Sequence, residues 1–204
     1  MSIVNTLDIV KDWLAENVCP LVELKLPNDS ATADEYPYEL IHPAALALFV
    51  PSKDRMGPKI KAPIPSVCVQ IISGNDSLLD HNRAMKLRLC FSTWDPGYHA
   101  QDIFIPTQSE GGLQEYNRRA TAAFEKNSEG WRDCWNFVDT TLRVVENAEY
   151  IGDKLRVAKE SGISFGPITE QEDVVDYYPY WFAWVEFSVE EVLLRNPASY
   201  NQFL

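Results

Sequence analysis

Apolar residues spaced three and four apart mark helices in this chain, and apolar residues spaced two apart mark strands. The helical spacing comes first. Ile3, Leu7, Val10, Leu14 and Val18 fall on one helical face, and Pro20 stops the helix. Val22, Leu24 and Leu26 alternate over a short run that reads as a strand. Residues 27–43 are rich in Pro, Asn, Asp and Ser and read as a loop. A short apolar run occupies residues 45–50. Residues 51–65, with four prolines and four Lys or Arg, read as a second loop.

Two strands follow. In the first, Val67, Val69 and Ile71 share a face, with Cys68, Gln70 and Ile72 opposite. In the second, Met85, Leu87, Leu89 and Phe91 share a face, with Lys86, Arg88 and Cys90 opposite. The polar connection 74–82 is short enough for an antiparallel hairpin. Thr93-Trp94-Asp95-Pro96-Gly97 ends the second strand in a turn. Residues 98–127 form a long insertion. Its second half is predicted helical from Leu113, Tyr116, Ala120 and Phe124, with Arg118 and Arg119 as its most basic point.

A long helix is expected over 129–149, with Trp131, Trp135, Val138, Leu142 and Val145 as its apolar stripe. Asn127 or Ser128 is expected to cap it, and Gly152 follows its end. Strands over 163–168 and 180–190 then flank an acidic segment, EQEDVVD. The tail from Asn196 reads as loosely attached. In the last strand the odd positions Trp181, Ala183, Val185, Phe187 and Val189 are all apolar and face a core. The even positions begin aromatic, with Tyr180, Phe182 and Trp184, and end polar, with Glu186, Ser188 and Glu190. A one-sided strand is polar along its whole outer face, so something covers Tyr180, Phe182 and Trp184. The cover is either another part of the chain or another subunit.

These elements predict an α+β fold: a mainly antiparallel sheet with two or three helices packed on its apolar face. The opposite face is expected to carry Gln70, Lys86, Arg88, Ser164, Glu186, Ser188 and Glu190. One domain spans 1–204, with insertions at about 27–65 and 98–127.

Composition adds the sign of the surface. With 18 Lys and Arg against 30 Asp and Glu, the net charge is −12. That argues against tight nucleic-acid binding, which needs clustered cations. It is compatible with a surface past which DNA slides. The cysteines, Cys19, Cys68, Cys90 and Cys134, form no CxxC pair and have no His at ligand spacing, so they read as reduced, partly buried thiols. No basic region followed by an apolar run opens the chain, so no signal peptide is expected. No apolar run approaches membrane-spanning length.

Catalytic signals are weak. The chain has no GxSxG, Walker, GxGxxG or HExxH motif. His42, His81 and His99 fall in predicted loops and read as solvated. Asp133 and Asp139 lie six apart on a helix, point in different directions and read as solvated too. Asp95 reads as a turn residue. Trp131, Trp135 and Trp181 are core candidates, which leaves Trp94, Trp184 and Trp13 for an aromatic platform of the kind that binds sugars. No catalytic, metal-binding or cofactor-binding residue is assigned.

Four stretches carry a resemblance: FSTWDPG (91–97), GWRDCWNFVDTTLRVV (130–145), ISFGPITEQED (163–173) and YPYWFAWVEFSV (178–189). Their succession resembles the tail-terminator (tail completion) proteins of long-tailed bacteriophages and phage-tail-like particles. In that family a hairpin and a loop precede a helix that starts near a Gly-aromatic pair with an Asp soon after. A strand and a Pro-Tyr-aromatic strand close the domain. The match covers about 66–192 and the N-terminal helix; the two long insertions depart from the usual short form.

The resemblance implies a structural protein of the virion tail, assembled in the host bacterial cytoplasm, with no enzymatic activity and no cofactor. It implies a ring, typically a hexamer, on the last ring of the tail tube. That ring stops tube growth and offers a surface to a head-side connector. The implied partners are further copies of the chain, the tail tube protein, the tail sheath protein in contractile particles, and that connector. DNA would pass through the lumen without specific binding. On this reading Tyr180, Phe182 and Trp184 lie at a subunit or insertion contact, and Lys86, Arg88, Glu186 and Glu190 at the lumen or a ring contact. A head-tail connector or neck protein is the alternative within the same assembly; an enzyme or carbohydrate-binding module is the alternative outside it.

Overall fold

The computed structural model describes residues 2–28, 38–57, 60–77, 79, 82–96, 104–108, 114–118, 130–171 and 173–192. Helix α1 (Ile3–Asn17) opens it, with the Ser2 hydroxyl accepting a hydrogen bond from the Asn5 amide. The short strands β1 (Leu24–Lys25) and β2 (Leu40–Ile41) pair with each other, so the loop expected over 27–43 ends in a strand. Strand β3 (Ala44–Ala47) is parallel to β4 (Ser66–Ser77), which forms the expected hairpin with β5 (Asn82–Trp94).

The helix expected late in the second insertion is overturned over its described residues. Residues Gln114–Arg118 form β7, antiparallel to β6 (Phe104–Gln108), and Tyr116 sits opposite Pro106. Apolar spacing reports local periodicity only, and a pairing partner ten or more residues away leaves no mark on it. Leu113, Arg119, Ala120, Phe124, Asn127, Ser128, His81, His99 and the tail lie outside the described residues.

Helix α2 (Trp131–Asn147) starts two residues later than expected, with Gly130 at its N-cap and no side-chain cap. Its buried face is Cys134, Phe137, Val138, Thr141 and Val145. Trp131 is therefore not core; it is 43% exposed. After α2 come strands that the sequence pattern does not announce, β8 (Tyr150–Ile151) and β9 (Leu155–Val157). Then follow β10 (Ser164–Pro167), the small hairpin of β11 (Thr169–Glu170) and β12 (Asp173–Val174), and the closing strand β13 (Tyr180–Val192).

Among the described residues the main sheet has seven strands in the order β3-β4-β5-β13-β9-β8, with β10 also on β13. All its pairings are antiparallel except β3 with β4. The fold is thus α+β and mainly antiparallel, with two α-helices among the described residues. Both pack on the face that carries Val67, Val69, Met85, Leu87, Leu89, Phe91, Ala183, Val185, Phe187 and Val189, and these residues join Val10, Leu14, Phe137 and Val138 in one core. Phe137 meets Phe91 edge-on at 4.9 Å. No described helix is long and apolar enough to cross a membrane.

Candidate functional site

The three segments with the strongest landmarks meet at the N-terminal end of α2. Asp95, from the turn after β5, is fully buried (0% exposed) and its carboxylate accepts a hydrogen bond from Lys25 Nζ at 2.7 Å. The same ammonium reaches Asp133 Oδ2 at 3.1 Å. Asp133 is therefore no solvated helix position, and Asp95 is more than a turn residue: both hold a buried cation. Asp139 is exposed, as expected.

Burial alone would push the Lys25 pKa down. The charges of Asp133 and Asp95 and the hydrogen bonds to both outweigh that, so it lies above the ordinary lysine value. The ammonium also lies over the Tyr38 ring, 5.4 Å from its centroid.

The closing strand ties into the same knot. The Asp95 amide donates to the Pro179 carbonyl at 2.9 Å, and Trp181 Nε1 donates to the Asp95 carbonyl at 3.1 Å. The Tyr178 hydroxyl donates to the Pro96 carbonyl. The Tyr178–Pro179 peptide bond is cis. Gly130 has to be glycine here: a Cβ would overlap Trp181 Nε1 and lie 2.7 Å from the Asp95 carbonyl oxygen. Sequence reasoning missed Lys25 entirely. The available signal was a lysine set between Leu24 and Leu26 in an alternating strand.

The far sheet face divides as its sequence does. The Glu186 side chain is almost fully enclosed between two cations. Arg88 Nε donates to it at 2.7 Å, and Lys86 pairs with its other oxygen. The Lys86 hydrogen bond is the largest cause of a pKa below the ordinary glutamate value; enclosure opposes it, and Arg88 adds to it. Glu190 pairs with Arg156 at 2.9 Å. The four charged residues Lys86, Arg88, Glu186 and Glu190 thus sit on one face, in pairs that largely neutralise each other.

The three aromatic residues do not share one environment. Trp184 is covered by its own chain. Its Nε1 donates to the Pro167 carbonyl at 2.8 Å, its ring lies against Gly166, and Arg88 stacks on it with 5.6 Å to the centroid. Phe182 meets Tyr177 edge-on at 5.5 Å. Tyr180 and Phe182 border a cavity of about 720 Å³, together with Trp131, Trp135, Pro167, Val174, Asp176 and Trp181. Strand β10 pairs with β13 only from Ala183 onward, and the cavity lies beside the residues before it.

A second cavity of about 260 Å³, lined by Leu142, Ile163 and Phe165, continues along α2. The Phe165 ring meets Trp135 edge-on at 6.2 Å between them. Apolar hollows thus lie along the groove between α2 and the β10 edge, with the exposed side chains Trp131, Phe165 and Val174 in their walls.

The knot's charges are engaged with one another, and among the described residues no three His, Cys, Asp or Glu are placed to hold a metal. Cys19, Cys68 and Cys134 are buried free thiols, with pKa values pushed up by burial to about 12, so they are poor nucleophiles. What the site offers is a rigid knot beside an apolar groove. No protein-family model matches the chain, and no curated protein matches it.

Proposed function

We propose that this protein is a tail terminator of a long-tailed bacteriophage or a related tail-like particle. It forms a ring, expected to be a hexamer, on the last ring of the tail tube, ends polymerisation of tube or sheath, and provides the surface to which a head-side connector attaches. Its partners are further copies of itself, the tail tube protein, the sheath protein where the tail contracts, and the connector. It is a structural protein, with no reaction assigned to it.

One observation supports this reading above the others. The landmarks of the resemblance, Trp94-Asp95-Pro96, Gly130-Trp131 with Asp133, and Pro179-Tyr180-Trp181, come from three distant segments and converge on one buried knot. They hold the hairpin, the second helix and the closing strand in a single arrangement. Their joint presence in a sequence therefore marks that arrangement rather than a chance run of aromatics. The net charge of −12 fits a lumen through which DNA slides without sticking.

Negative-stain microscopy of the protein mixed with purified tail tubes tests the reading. Rings seated on one end of the tubes are the expected result. Binding to portal or adaptor rings in place of tubes would make the protein a connector or neck component, and binding to neither would end the proposal.

A further inference from the structure

The surroundings of the groove are acidic. Asp176 lines it, Glu170 and Asp173 are exposed on the β11–β12 hairpin that carries Val174, and the sequence holds no Lys or Arg from residue 162 to 192. Arg132, stacked on Trp131 with 5.1 Å to the ring centroid, is the cation at its α2 side. A partner for this surface has to bring apolar side chains for the floor and positive charge for the rim.

The opposite edge of the sheet presents that combination. Strand β3 ends at Ala47, and Leu48 follows it with a left-handed φ of 69°. Leu48, Phe49 and Val50 are all exposed, Phe49 by 66%. Lys53 and Arg55 follow in an exposed turn with only Asp54 between them. The turn carries a local excess of positive charge in a chain of net charge −12. The two patches cannot meet within one molecule. They flank the strand series β3-β4-β5-β13-β10 at its two ends, about 19 Å apart at roughly 4.8 Å per strand.

We infer that residues 48–55 of one copy dock in the groove of a second copy. Phe49 enters between Trp131 and the β10 edge, and Lys53 and Arg55 face Glu170, Asp173 and Asp176. The contact joins two different patches, so it is head-to-tail, the type of interface that generates closed rings or open filaments. It deepens the ring reading by naming the surfaces that meet, and it rests on that reading only for closure of the ring.

Sedimentation velocity of the full chain, without tail tubes, tests it. At about 100 μM in low salt the native chain self-associates, and added salt weakens the association. Lys53→Glu with Arg55→Glu weakens it at least about tenfold, as does Phe49→Ala. Adding Glu170→Lys and Asp173→Lys to the first pair in the same chain restores it. So does mixing the two oppositely reversed chains. All these positions are exposed, so melting curves stay close to that of the native chain.

A native chain that stays monomeric under these conditions overturns the inference and leaves the groove to a basic, apolar segment of another protein. Association indifferent to both reversals overturns it as well. A chain that caps tubes but ignores the charge swap sinks this contact and spares the terminator reading. A chain that obeys the swap but ignores tubes does the reverse.

Discussion

Gly130 is where the knot is tightest, and two principles point the same way. At a helix N-cap glycine is favoured over alanine. Packing adds to this, because an alanine Cβ would overlap Trp181 Nε1 and press on the Asp95 carbonyl. One neighbour is backbone and the other is held by a hydrogen bond, so neither yields cheaply. Gly130→Ala is therefore expected to lower the unfolding free energy by about 1–3 kcal/mol, the usual cost of overpacking. Urea denaturation reads this directly, and a higher midpoint would show that Trp181 is free to move. The Lys25 cation beside it was illegible in the sequence for a simple reason. Its partners lie 70 and 108 residues away, and nothing local to Asp95 or Asp133 announces a buried counter-charge. Only the odd lysine between two leucines hints at it.

At the scale of elements, the join between β5 and β13 depends on pH through Glu186, enclosed by Lys86 and Arg88. Its folded-state pKa lies below the ordinary value, so folding favours the ionised form. The stabilisation is fully present above the unfolded pKa of about 4.3 and is lost as pH falls through the folded value. The thermal midpoint of the native chain should fall on acidification from about pH 5 to pH 3, and that of Glu186→Gln should fall less over the same window. Equal falls in calorimetry would mean the clamp contributes nothing. The strands of this join were legible because one face of each is wholly apolar. β8 and β9, at two and three residues, are too short to show a period. β7 was misread because its strand character resides in pairing with β6. The expected α2 stripe shares Val138 and Val145 with the buried face, which Cys134, Phe137 and Thr141 complete. The two tryptophans near the helix start lie at the rim of the core rather than at its centre.

At the scale of the molecule, the aromatic excess of the closing strand splits into residues that serve the fold and residues that offer a surface. The sequence could show the excess but not the split, because the residues that decide it, Arg88, Gly166 and Pro167 around Trp184 and Trp131 beside Phe182, come from other elements. Trp184 belongs to the fold. Truncating it removes a hydrogen bond, a cation stacked on its face and the filling over Gly166. Trp184→Ala should therefore lower the stability of the monomer by about 2–4 kcal/mol, somewhat less than a fully buried Trp, because the site is only partly covered. Trp131 belongs to the surface. It is 43% exposed on the groove, so Trp131→Ala should change unfolding by only about 0.5 kcal/mol while weakening self-association about tenfold. Chemical denaturation and sedimentation of the two variants side by side decide the matter. The opposite pattern, an intact fold but lost association for Trp184→Ala, would move the subunit contact from the groove to the far face of β13. Lys86, Arg88 and Glu186 would then have to be read as interface charges rather than as the clamp that closes the sheet.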